Sequence, residues 1–316
     1  MDVFHDAARN GMLDSLKKII DANAELDVTD SNGKTALILA VEQGHTACVE
    51  LLVAAKADIA VSDYDRKTAL MWAAFHGHAT CARILVDSRA KVDIKDNNRR
   101  TPLIFAAQGG HTACVQLLID AKAYMKTKDD QGNNALLWAA RNGHTPCVQL
   151  LIDFKAKIDA KNKSSETALI WAAYHGHTHC VRSLIDGKAD LEAKDELKKT
   201  ALMWAALNSH DACVQLLVGA KANIDTKDDT KKSALVIAAQ GGHPACIRVL
   251  LHAKADVERA DREGKTALMW AASMGHTDCV RVLLDITEFK AKKEKDEVRA
   301  LWLELLASTG YRHNVS

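Results

Sequence analysis

Residues 63–95 read DYDRKTALMWAAFHGHATCARILVDSRAKVDIK, and residues 96–128 read DNNRRTPLIFAAQGGHTACVQLLIDAKAYMKTK. Thr, Leu, Ala-Ala, Gly-His and a closing Leu/Ile pair recur in register. Working outward, the same lattice spans the chain. The cysteines are Cys48, Cys81, Cys114, Cys147, Cys180, Cys213, Cys246 and Cys279, one every 33 residues. A histidine stands three residues before each, from His45 to His276. A single catalytic site does not produce such a lattice. It is one structural unit copied eight times, and units of this size bury their apolar faces only by stacking on neighbours.

The pattern resembles the ankyrin repeat, in which a β-turn is followed by Thr-Pro-Leu-His-x-Ala-Ala, then Gly-His and a second helix. The resemblance covers nearly the whole chain. It implies an all-α repeat solenoid of stacked helix-turn-helix units with β-turn or hairpin tips. Eight full units are expected at 30–62, 63–95, 96–128, 129–161, 162–194, 195–227, 228–260 and 261–293. Residues 1–29 form an N-terminal capping unit, with Ala7-Ala8, Gly11 and Ile19-Ile20 in register with Ala40-Val41, Gly44 and Leu52-Val53. Residues 294–316 are expected to close the array as a capping helix through Ala300, Leu301, Leu303, Leu305 and Leu306. The whole chain, 1–316, is expected to be one repeat domain.

The residue types account for the units. Thr35, Thr68, Thr101, Thr167, Thr200 and Thr266 stand where a helix N-cap belongs. Pro102 follows Thr101 at the first helical position, where a missing N–H costs nothing. Trp72, Trp138, Trp171, Trp204 and Trp270 share a register with Leu39, Phe105 and Ile237. Gly44 and its equivalents separate the two helices with an expected positive φ. Asp30, Asp63, Asp96, Asp129, Asp195, Asp228 and Asp261 open the turns.

Three departures from the family pattern stand out. The family's His after Thr-Pro-Leu is replaced by Ile38, Met71, Ile104, Leu137, Ile170, Met203, Val236 and Met269, which puts polar bonding between units in doubt at that column. The glycine that closes the second helix is a cation in seven units, Lys56, Arg89, Lys122, Lys155, Lys188, Lys221 and Lys254. A left-handed backbone at such a residue costs about 1 kcal/mol, partly offset by the helix C-terminus. Ser209 replaces the inter-helix glycine of the sixth unit.

Bulk properties exclude several classes. With 316 residues, 48% hydrophobic residues and a net charge of +1, the chain can build a continuous core and has no bulk attraction to nucleic acid or an anionic membrane. No apolar run approaches the roughly 18–20 residues of a membrane span, so no membrane insertion is expected. No signal peptide is visible at the start. Equivalent helices lie roughly 8–10 Å apart, beyond the about 7 Å that a disulfide spans. Reduced thiols imply a cytoplasmic protein.

The search for chemistry returns little. Each His-x-x-Cys pair supplies two ligands where zinc wants four, so the cysteines are read as small buried hydrophobes. A thiol redox sensor is a weaker reading, favoured by the helix start and opposed by burial. Gly33-Lys34-Thr35 and Gly264-Lys265-Thr266 lack the earlier glycine of a phosphate loop, with Val28 and Arg259 in its place. No catalytic residue, metal site or cofactor is expected, and the chain is read as a non-enzyme.

The resemblance implies that partners meet the groove, the ends of the first helices and the turn tips. The residues before Gly-His vary most between units, and two pairs are aromatic–His. The candidate sites are Tyr64, Phe75 and His76, and Tyr174, His175, Leu197 and Leu207. Aromatic residues are the usual interface anchors. Lys128, Lys161 and Lys194, part of a column that also includes Lys95 and Lys227, would serve a partner with an acidic segment; pairing with the neighbouring Asp is the plainer account. The expected function is a monomeric, cytoplasmic scaffold or adaptor that binds another protein. The alternative is a structural component of a cytoskeletal or filament assembly.

Overall fold

The computed structural model describes residues 3–286. The chain divides into two compact units between Lys163 and Ser164. The first contains α1 (Val3–Arg9), α2 (Leu13–Asp21), α3 (Ala36–Glu42), α4 (Thr46–Ala54), α5 (Ala69–His76), α6 (Ala79–Asp87), α7 (Pro102–Gly109), α8 (Thr112–Asp120), α9 (Ala135–Arg141) and α10 (Thr145–Asp153). The second contains α11 (Ala168–Tyr174), α12 (Thr178–Asp186), α13 (Ala201–Leu207), α14 (Asp211–Gly219), α15 (Ala234–Gly241), α16 (Pro244–His252), α17 (Ala267–Ser273) and α18 (Thr277–Ile286). Each repeat is a helical hairpin, and like helices stack on like in each unit, as α5 on α7 and α11 on α13. The described residues hold no strand, only the isolated bridges Thr29–Thr35 and Ser62–Thr68. The fold is an all-α repeat solenoid. The expected closing segment, 294–316, lies outside the described residues.

The first helices start at side-chain caps. The Thr35 hydroxyl accepts from the Ile38 amide at 3.3 Å and that of Thr68 from Met71 at 3.4 Å; Thr101, Thr167, Thr200 and Thr266 do the same. Asn134 and Ser233 take this place in the two repeats that lack the threonine. Such a cap contributes about 1 kcal/mol. The residues that replace the family's histidine, Ile38 through Val236, are buried at 2% exposure or less, so that column is apolar core.

The Gly-His histidine supplies polar bonding between repeats. His45 Nε2 donates to the Arg9 carbonyl at 3.0 Å, His78 to Glu42 at 3.2 Å and His144 to Gln108 at 3.0 Å. These histidines begin the second helices but make no side-chain cap bond, because the ring faces the preceding repeat. At Gly44 both the backbone and the neighbouring ring favour glycine. Gly44 has φ +74°, and a Cβ there would lie 2.7 Å from the His78 ring. Ser209 holds the same left-handed backbone at φ 61°. Lys56, Arg89, Lys122, Lys155, Lys188, Lys221 and Lys254 all have positive φ, as their register predicts.

The turn aspartates do more than open turns. Asp63 Oδ1 accepts from the amides of Asp65 and Lys67 at 3.0 and 2.8 Å, and its Oδ2 accepts from Trp72 Nε1 at 2.9 Å. Asp129–Trp138, Asp195–Trp204 and Asp261–Trp270 repeat the bond at 2.8 Å. In these four repeats one carboxylate thus ties the tip to the first helix of its own repeat.

Candidate functional site

The sequence Trp72-Ala-Ala-Phe75-His76-Gly77-His78 folds into a ring cluster at the end of α5. Residues four apart on a helix share a face, so His76 stacks on Trp72 with centroids 5.7 Å apart and planes 12° from parallel. His78, just past the helix, stacks on His76 at 5.8 Å. Phe75 meets Trp72, His76 and Phe105 of the next repeat edge-on, at 5.9, 4.9 and 5.7 Å. The second unit builds the same cluster at the end of α11. Trp171 and His175 stack at 5.4 Å and 9°, and His175 and His177 at 5.7 Å. Tyr174 meets His175 at 4.8 Å and Trp204 at 5.0 Å.

Both clusters are open to solvent: Phe75 is 43% exposed and Tyr174 37% exposed, and His76 and His175 are exposed beside them. Partial burial of the His76 ring, reinforced by His78 and Lys34 against the opposing Glu42, holds its pKa below the ordinary imidazole value. Neutral imidazole is therefore its form at neutral pH. Lys34 Nζ lies 4.0 Å from the Trp72 ring centroid and Lys67 Nζ 4.9 Å away. Each of these cations is answered: Lys34 by Glu42 at 2.7 Å and Lys67 by Asp65 at 2.9 Å.

The other candidates lie outside the ring contacts. Tyr64, 71% exposed, projects from its turn beside Gly33 of the preceding tip and makes no ring contact with the Phe75 cluster among the described residues. Leu197 is exposed at a turn tip, and Leu207 is exposed at the end of α13. Register thus located exposed residues, while the ring contacts bring together only the aromatic–His pairs and the tryptophans, Phe105 and histidines around them. Those partners were not singled out, although Trp at i and His at i+4 carried the signal. Exposed Tyr124 and Phe154 were also not singled out.

Lys128 and Lys161 are exposed and Lys194 is half-buried. Local pairing with the next aspartate is not the arrangement at Lys128. Asp129 is engaged with the amides of Gln131 and Asn133 and with Trp138, and Lys128 Nζ donates to the Lys161 carbonyl at 2.6 Å.

All eight cysteines are buried and none forms a disulfide. Burial pushes Cys114 up to about 11, and Cys246 and Cys279 to about 12 and about 11, where acidic neighbours add to it. Thr46, Thr112 and Thr178 hydroxyls lie 3.5–3.6 Å from Cys81, Cys147 and Cys213 of the next repeats. Among the described residues no three His, Cys, Asp or Glu side chains are grouped to hold a metal, and no helix is long and apolar enough to cross a membrane.

A family model for ankyrin repeats matches residues 4–96, 88–162, 154–228 and 210–295. The chain belongs to the ankyrin-repeat family. The ankyrin repeat domain of human ASB11 is similar over 71% of this chain and all of that one, at 25% identity and a TM-score of 0.65. That of Bcl-3, described as a unique member of the IkappaB protein family, is similar over 65% of this chain and 94% of that one, at 30% identity and a TM-score of 0.58. Among curated ankyrin-repeat relatives, cyclin-dependent kinase inhibitor 2A of Monodelphis domestica is 52% identical over 48 residues, 15% of this chain and 28% of the relative. Cyclin-dependent kinase 4 inhibitor B of Rattus norvegicus is 54% identical over 41 residues, 13% of this chain and 32% of the relative. The match thus spans about a third or less of those proteins.

Proposed function

We propose that this ankyrin-repeat chain is a non-catalytic, cytoplasmic scaffold that binds another protein through the ends of its first helices and its turn tips. The observation that carries the reading is the pair of exposed ring clusters around Phe75–His76 and Tyr174–His175. Rings held in place by stacking lose little freedom on binding, and aromatic anchors dominate interface energies. Tyr64, Leu197 and Leu207 supply further exposed apolar surface at the turn tips and at the end of α13. The curated relatives are named as inhibitors of kinases, which fits a repeat array that acts by contact; the kinase itself does not carry over. Eight buried thiols outside any disulfide support the reducing compartment. Lys128, Lys161 and Lys194 add an electrostatic contribution toward an acidic segment of the partner, because the Lys128 ammonium rests on a neutral carbonyl rather than a carboxylate.

The test is capture of a partner on the immobilised intact chain, compared with Phe75→Ala and Tyr174→Ala chains that melt like the parent. Loss of the same protein from the variants supports the reading, and undiminished capture by both overturns it.

A further inference from the structure

We propose that the second helices α12, α14 and α16 form a docking site for an acidic amphipathic helix of a partner protein, centred on Gly219. The site stands on other helices than the ring clusters and goes beyond the reading above.

Gly219 opens the surface. Helices α6, α8, α10 and α12 each end in an aspartate, Asp87, Asp120, Asp153 and Asp186, whereas α14 ends in Gly219 and α16 in His252. Glycine in a helix lowers stability. A Cβ at Gly219 would meet no atom within 4 Å, so nothing nearby demands the glycine. What it leaves is two open hollows that meet there. One, of about 360 Å³, is lined by Arg182, Ile185 and Leu216; the other, of about 390 Å³, by Val218, Val249 and His252; Gln215 and Gly219 line both.

The missing aspartate also releases a donor. Gln116 Nε2 donates to Asp120 and Gln149 Nε2 to Asp153, both at 2.9 Å. Gln215 has the same register with Gly219 four residues on, and among the described residues its amide has no hydrogen-bond partner. Arg182, exposed on α12, forms no ion pair among the described residues. A carboxylate from the partner satisfies both groups.

The charge of the face agrees. From the first residue of each helix to the lysine that follows it, the three carry Arg182, Lys188, Lys221, Arg248 and Lys254 against Asp186 and Asp211. In the loops beyond, Asp190 accepts from the Glu192 amide at 2.9 Å and Asp256 pairs with Arg259 at 3.3 Å.

Spacing selects a helix. The hollows are offset by one repeat, roughly 8–10 Å. Side chains seven residues apart on a helix share a face at about 10.5 Å. Same-face side chains of an extended segment recur at about 7 and 14 Å. Two apolar side chains of a helix therefore reach both hollows.

The test is a titration of the isotope-labelled full-length chain with an acetylated Ala/Glu peptide of about 18 residues, long enough to hold a helix. It carries two leucines seven residues apart, and binding is followed by amide resonances. Saturable shifts are expected at the Gly219 amide and the Gln215 side-chain amide. Gly219→Asp restores the residue of α12, so it should melt close to the parent and bind about tenfold or more weakly. Arg182→Gln should weaken binding and reduce its dependence on salt. The same peptide with lysine for glutamate should shift neither resonance. No saturable shifts, shifts confined to 72–78 or 171–177, equal binding of the lysine peptide, or undiminished binding by folded Gly219→Asp would overturn the proposal.

Discussion

His111 donates from Nε2 to the carbonyl oxygen of Phe75 at 2.9 Å, so the imidazole that joins two repeats ends on the residue at the centre of the first ring cluster. That bond reaches the main chain of Phe75, while its ring is held by Trp72, His76 and Phe105. His210 and Tyr174 repeat the relationship at 3.1 Å in the second unit. Repeat stacking and the exposed surface therefore meet at the same residue through different atoms, the carbonyl for the stack and the ring for the surface.

A glycine lies beneath the imidazole at Gly44, Gly77, Gly110, Gly176 and Gly242, whereas Ser209 takes that place in the sixth repeat and the His243–Leu207 bond still forms at 2.9 Å. Gly44→Ala should destabilise the protein by about 1 kcal/mol through the left-handed backbone, with the His78 ring moving off the new Cβ. Ser209 already has a side chain at the equivalent position with φ 61°, so Ser209→Gly should stabilise by up to about 1 kcal/mol. Urea unfolding checks both signs.

Acid should weaken the turn tips. Burial pushes the Asp261 pKa up, but the Trp270 indole, the Lys265 and Glu263 amides and the Lys232 charge outweigh it, and the net shift is down. A depressed folded value means that the stabilisation is present at neutral pH and is lost as pH falls below the usual carboxylate range through the folded value. Asp261→Asn should flatten that acid limb in melts recorded between neutral and strongly acid pH. An unchanged slope would remove Asp261 from the account.

Buried thiols with raised pKa values should be slow nucleophiles. Brief alkylation of the native protein at mildly alkaline pH should leave Cys114, Cys246 and Cys279 unmodified by mass spectrometry, with full modification after denaturation. Rapid native modification would favour the redox reading instead.

The lysines make a claim about rates. Changing Lys128, Lys161 and Lys194 to Gln should slow association with the partner and reduce its dependence on salt, since exposed charges steer encounter. An on-rate equally insensitive to salt in parent and variant would leave those lysines without a role in binding.

Much of the fold was legible because the repeat states its rules many times over: the Thr caps in six units, the Gly-His break in seven and the Lys or Arg at a left-handed position in seven each follow from a local backbone need. Contacts that leave the local stretch were not legible. His78 reaches a carbonyl 36 residues back, and Asp63 folds over its turn to Trp72 nine residues on. Neither distance has a periodicity to betray it. The candidate site was half legible for the same reason. Register singled out Phe75–His76 and Tyr174–His175 and put Tyr64 and Leu197 at the turn tips, but it joined tip and cluster into one patch, and among the described residues no ring contact links Tyr64 to the Phe75 cluster.

The central claim is that exposed side chains at the first-helix ends carry partner binding. Its most direct measurement is the affinity of the captured partner for the parent chain and for the Tyr174→Ala, Leu207→Ala double variant. The account predicts a loss of about 2 kcal/mol or more, roughly thirtyfold in Kd, with the melting temperature nearly unchanged. An unaltered Kd in a folded double variant would contradict it.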